Sequence, residues 1–179
     1  MVKKINTKLV KLIKYYSLIN NNLIYGNEAI NRYKINSNLA IKGPKSKKLQ
    51  ELKDSIGKIK NCELKKSSTN IVFSDGNPDA KIMIIGEGPG ANEDLEGVPF
   101  IGRTGELLDK MLLSINLDRD NVYISNVVNY RPPENRKPTK EEIARYLPYL
   151  IKHVEIINPH ILILLGSTAL NTIIGDDKV

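Results

Sequence analysis

Ile82 to Ile85 form an unbroken apolar run that stops at Gly86-Glu87-Gly88-Pro89-Gly90. A short run of this kind suits a strand buried on both faces. Three glycines and a proline in five residues neither continue a strand nor start a helix, so a tight loop follows the strand's carboxyl end. Ligands of open α/β sheets bind at such ends. The loop continues through Glu93-Asp94, Pro99-Phe100, Gly102 and Gly105 before a helix begins. Gly86-x-Gly88-x-Gly90 is superficially like a dinucleotide fingerprint. Its third glycine comes one residue early, however, Pro89 stiffens the turn, and a long loop is expected where that motif needs a helix. The other reading is a rigid pocket wall, with Phe100 as a flat face for a planar ligand. A lone aromatic is usually core, but Phe100 lies between Pro99 and Gly102 in a glycine-rich loop.

Further along, Val122 to Val128 and Ile161 to Leu165 read as two more buried strands. Helices are predicted over Leu49–Ile59, Glu106–Ile115, Thr139 to Ile157 and Thr168–Ile174. Thr139 and Glu142 form a capping box, and Gly175 closes the last helix. The expected buried stripes are Leu107, Leu108, Met111, Leu112 and Ile115 in one helix. In the next they are Ile143, Leu147, Leu150, Ile151, Val154 and Ile157. Ile71-Val72-Phe73 reads as a short edge strand before the turn Asp75-Gly76-Asn77-Pro78. Buried strands alternating with helices predict parallel pairing and right-handed crossovers. The fold class is therefore α/β, a three-layer α/β/α sandwich with a central parallel sheet.

Charge divides the chain. Residues 1–70 carry 16 Lys and Arg against 4 Asp and Glu, and residues 71–179 carry 11 against 16. A basic N-terminal arm, residues 1–48, with an amphipathic helix over Lys8–Ile19, thus precedes a mildly acidic domain, residues 49–179, across a linker at Gly43-Pro44-Lys45-Ser46. This split fits contact with a polyanion such as DNA; a solvated lysine-rich arm fits it equally. Cys62 is the sole cysteine. It excludes an internal disulfide and suits a reducing cytoplasm. Lys11 and Lys14 interrupt any signal-peptide core, and no stretch is long enough to span a membrane.

Several segments in order resemble one family. GEGPGANEDLEGVPFIGRTGELLDKML, VYISNVV, RPPENRKP and INPHILILLGSTA are similar to segments of the family 4 uracil-DNA glycosylases. The resemblance runs from Cys62 to Gly175. It implies hydrolysis of the N-glycosidic bond of deoxyuridine, in base-excision repair, with uracil-containing DNA as the partner. A cytoplasmic protein is expected from the cysteine usage, and a monomer is the default where the sequence does not specify the oligomeric state. Phe100 would stack on uracil and Asn126 would read its edge, since an amide offers both a donor and an acceptor. Without the resemblance, Asn126 reads as a strand-end amide bonding its own backbone. Gly86, Gly88, Pro89 and Gly90 would shape the pocket floor. Glu87, Glu93 and Asp94 are the carboxylates available to orient water, although loop carboxylates are more often only solvated. Arg131, Arg136 and Lys137, in the proline-rich loop, are placed to meet phosphates. His153 and His160 carry little weight.

The sequence departs from the family's pattern twice. The family holds a four-iron, four-sulfur cluster on four cysteines; the corresponding positions here are Ile59, Cys62, Tyr130 and Tyr146. One thiolate cannot hold a group that takes four, so no cofactor is expected and no metal ligands are assigned. The family's His-Pro-Ser motif, which closes over the base, is also expected to be missing, because the sequence reaches Val179 first. The resemblance thus implies a base-holding half-site without the histidine that drives the chemistry. The alternative to a glycosylase is an inactive remnant that only binds DNA or uracil.

Overall fold

The pairing of strands decides where the loops meet. In the computed structural model, which describes residues 45–175, four strands form one sheet: β1 Asp75–Gly76, β2 Ile82–Gly86, β3 Val122–Asn126 and β4 Ile161–Leu164. Their order is β1-β3-β2-β4. β2 pairs in parallel with β3, from Ile82 opposite Val122 to Gly86 opposite Asn126. It also pairs in parallel with β4, from Ile82 opposite Ile161 to Ile85 opposite Leu164. Gly86 and Asn126 are therefore neighbours at the carboxyl ends of adjacent strands. The helix expected over Lys8–Ile19, the basic segment up to residue 44 and residues 176–179 lie outside the described residues.

Helices cover both faces of the sheet. They are α1 Lys45–Gly57, α2 Glu63–Ser67, α3 Ala91–Glu96, α4 Arg103–Ser114, α5 Lys140–Ile157 and α6 Ser167–Ile174. On one face Leu49, Leu52 and Ile56 of α1 and Tyr146, Leu150 and Ile157 of α5 close over Met83, Ile85 and Tyr123. On the other, Leu108 and Leu112 of α4 close over Ile84, Val122 and Ile124. Full burial of a leucine contributes roughly 1.5–3 kcal/mol. The result is the expected α/β/α sandwich. No helix among the described residues is long and apolar enough to cross a membrane.

Several local expectations are corrected. Lys45 and Ser46 begin α1 and are not linker; the Lys45 ammonium reaches the carbonyls of Pro78 and Ile157. Ile71-Val72-Phe73 forms no strand. Val72 N–H keeps one main-chain bond, to the Asn129 carbonyl, while Ser125 Oγ and Asn129 Nδ2 donate to the Phe73 and Val72 carbonyls, so side chains take over part of the ladder. Edge pairing occurs instead at Asp75–Gly76, antiparallel to β3. In α4 only Leu108 and Leu112 of the predicted stripe are buried, while Leu107, Met111 and Ile115 are exposed. In α5 the burial rotates onto Tyr146, Leu150, His153, Ile156 and Ile157, with Ile151 exposed. β4 is not fully buried: Ile161 is 54% exposed and Ile163 36%. By register they lie on the face of Ile82 and Ile84, where α4 covers β2 and β3 but does not reach β4.

The loop after β2 is shorter than expected, because α3 starts immediately after Gly90. The Glu93 carboxylate makes this possible. It accepts from the backbone N–H of Gly90 at 3.1 Å, capping the start of its own helix. It also accepts from Ile101 and Gly102, at 3.1 and 2.7 Å. Gly90 N–H, the group a dinucleotide phosphate would need, is thus already bonded within the protein.

Candidate functional site

A polar cleft of about 200 Å³ opens at the carboxyl ends of β2 and β3. It is lined by Glu87, Gly88, Pro89, Gly90, Glu93, Phe100, Thr104, Asn126, Pro132, Asn135 and Arg136. Gly86 is not itself a lining residue but lies against two that are, Phe100 and Asn126. A Cβ at this position would lie 2.5 Å from Phe100 Cζ and 2.6 Å from Asn126 Oδ1. Only a hydrogen fits, so the aromatic ring and the amide meet over the Gly86 backbone. Asn126 is 3% exposed, and its Oδ1 is buried with no hydrogen-bond partner in the protein. Leaving such an acceptor unpaired costs about 1–3 kcal/mol. A ligand N–H at that oxygen removes the cost. Phe100 is half-buried and adopts φ 55°, a left-handed conformation uncommon for a bulky residue.

The carboxylates differ in what they face. Glu87 accepts a hydrogen bond from Thr168 Oγ1 on α6, which ties the β2 loop to that helix. Glu93 lines the cleft but spends its oxygens on three backbone amides. Asp94 is buried outside the cleft lining and accepts from Thr69 and Asn70 N–H, at 2.9 and 3.2 Å. Among the basic residues, Arg136 lines the cleft with its guanidinium held by Glu142 at 2.7 and 2.8 Å. Arg131 donates to Asn135 Oδ1 at 2.7 Å. Lys137 is exposed and lines a separate groove beside α5 and α6. Thr104, Pro132, Asn135 and Thr168 were not singled out from sequence. Each lies in a segment that carries the resemblance, but the fold alone brings Thr104, Pro132 and Asn135 to the cleft lining and sets Thr168 beside Glu87.

At the positions where the family resemblance implies cluster ligands, Cys62 Sγ lies 3.3 Å from the Tyr146 hydroxyl. Ile59 packs against the same core cluster as Tyr130 and Tyr146. Burial, and then the neighbouring Cys62, push the phenol of Tyr130 above its ordinary range; burial and the hydrogen bond to Cys62 do the same at Tyr146. One thiol and two phenols do not fit a group that takes four thiolates.

The sequence matches a known class. The model of the uracil DNA glycosylase superfamily matches residues 73–178. The type-4 uracil-DNA glycosylase of Thermotoga maritima is 43% identical over 131 residues, which cover 73% of this chain and 68% of that protein. The type-4 enzyme of Archaeoglobus fulgidus is 45% identical over 121 residues, 68% of this chain and 61% of that protein. That of Sulfurisphaera tokodaii is 46% identical over 119 residues, 66% and 54% respectively. The chain belongs to the type-4 family of this uracil-DNA glycosylase superfamily. Its match spans between about half and two thirds of these relatives' lengths.

Proposed function

We propose that the cleft holds a uracil flipped out of DNA and that the chain hydrolyses the N-glycosidic bond of deoxyuridine. The observation that carries this reading is the meeting of the Phe100 ring and the unpaired Asn126 amide over Gly86. A base must leave the stack to be processed and then needs a flat face and an edge reader. Stacking on Phe100 contributes roughly 1–3 kcal/mol. Asn126 Oδ1 accepts from the uracil N3–H while Nδ2 donates to a ring carbonyl, a two-point contact of about the same size. Cytosine carries no proton on N3, so the amide discriminates between the two bases.

In the reaction the bond from C1′ to N1 breaks, a water oxygen bonds to C1′, and the water gives up one proton. Uracil departs as an anion and is then protonated. Glu87 is our candidate for orienting that water: it lines the cleft, and Thr168 steadies it. Glu93 holds the cleft wall and Asp94 ties α3 to Thr69 and Asn70 outside it, because their oxygens are engaged by backbone amides. The lysine-rich N-terminal segment adds affinity for the phosphate backbone, together with Arg131 and Lys137. No iron–sulfur cluster takes part.

The test is equilibrium binding of single-stranded oligonucleotides with uracil or cytosine at one position. Uracil should bind more tightly, and Asn126→Ala should remove the difference while leaving general DNA binding intact. Equal affinities for both oligonucleotides in the parent protein would refute the reading.

A further inference from the structure

We propose that Arg119 is a positioning residue that holds the Phe100 ring over the cleft, with Gly105 as the surface it is held against. The inference rests on the reading of Phe100 as the stacking face. Phe100 has φ 55°, a conformation that a bulky side chain adopts only where its surroundings impose it. Those surroundings are identifiable. Arg119 Nη2 donates to the Phe100 carbonyl, and Arg119 Nη1 donates to the Pro99 carbonyl at 3.2 Å. The guanidinium is itself clamped, by Asp75 Oδ2 of β1 at 2.6 Å and by Asp109 Oδ1 of α4 at 2.9 Å. Beyond Phe100, the N–H groups of Ile101 and Gly102 are fixed by Glu93. The carbonyls before the bend and the amides after it are therefore held by two different side chains.

Gly105 supplies the third restraint. A Cβ there would meet the Phe100 carbonyl well inside van der Waals contact and would lie 3.0 Å from its Cα. The Phe100 backbone thus lies directly on the buried face of α4, and only glycine allows it that close. Arg119 is not among the cleft-lining residues. Its planar fork reaches two carbonyls and two carboxylates at once, which the single ammonium of a lysine does not reproduce. Without this frame Phe100 relaxes to negative φ, its Cβ swings, and the ring leaves Gly86.

The experiment uses the full chain with selectively labelled phenylalanine. The sequence has two phenylalanines, and Phe73, buried against His153, is an internal reference for folding. A strong intraresidue amide-to-Hα Overhauser effect marks positive φ at Phe100. Arg119→Gln, Arg119→Lys and Gly105→Ala are compared with the parent, in this signal and in affinity for single-stranded DNA containing uracil or cytosine. The expected result is loss of the Phe100 signal with Phe73 unchanged. Because the amide keeps cytosine out of the cleft, the lost stacking contact should lower the affinity for uracil alone, about tenfold or more, and the preference falls with it while cytosine affinity is unchanged. Persistence of the signal and of the preference in all three variants overturns the proposal. Loss of the signal with an unchanged preference overturns the stacking role of Phe100 and leaves only a structural hold on the loop. Unfolding of all three, read at Phe73, overturns the positioning role in favour of a purely structural one.

Discussion

His153 is a histidine kept neutral by its surroundings. It is 2% exposed, stacks on Phe73 with ring centroids 4.5 Å apart, and lies 2.9 Å from the Tyr123 hydroxyl through Nε2. Tyr123 in turn donates to Ser74 Oγ at 2.7 Å. Burial lowers the His153 pKa to about 4 and pushes the Tyr123 phenol up to about 12. The unfolded chain binds a proton at His153 near pH 6.5 and the folded chain only near pH 4, so the unfolded state holds more protons between those values. The stability contributed is fully present above pH 6.5 and is lost as pH falls towards 4, by roughly 3 kcal/mol. Urea denaturation across this window should show that loss, and His153→Gln should flatten it. An identical pH slope in the variant would contradict this account. None of this was legible from the sequence. The apolar periodicity of α5 skips polar letters, and His153 and Tyr146 lie on the buried face because aromatic neighbours receive them.

At the scale of elements, Glu93 organises more than its own helix. It joins the start of α3 to the amides just before α4, so it fixes both ends of the segment that carries Phe100. Glu93→Ala frees three N–H groups and should cost roughly 3 kcal/mol of stability. Glu93→Gln keeps an acceptor and should retain much of that stability and of the uracil preference. If Glu93→Gln instead leaves stability intact but abolishes uracil release, Glu93 acts on water and our assignment of Glu87 is wrong. The buried strands and their parallel pairing were readable, because unbroken apolar runs such as Ile82–Ile85 have few other solutions. α3 was not, since six residues of Ala-Asn-Glu-Asp-Leu-Glu show no apolar stripe and the helix depends on one carboxylate. The α4 stripe was read too wide: Leu108 and Leu112 meet the sheet, and the adjoining row, Leu107, Met111 and Ile115, does not. The pairing of Phe100 with Asn126 came from the family resemblance. Arg119 had no signal, because its partners Asp75, Asp109 and the Phe100 carbonyl are distant in sequence.

At the scale of the whole molecule, two regions of the domain are packed in different ways. The face around Cys62, Tyr130 and Tyr146 is a packed thiol and phenol core. Anaerobically purified protein should therefore be colourless and free of iron; stoichiometric iron with visible absorption would contradict the repacking. Over Gly86, in contrast, a ring and an amide come together at the cleft. The central claim is that this cleft recognises uracil for hydrolysis. It is tested most directly by single-turnover release of uracil from a single-stranded oligonucleotide, read as alkali-labile cleavage at the uracil position. The account predicts cleavage at uracil and none at cytosine in the same sequence. It also predicts a loss of about tenfold or more on Phe100→Ala or Asn126→Ala. Absence of cleavage by the parent chain, or cleavage undiminished in both variants, would contradict it.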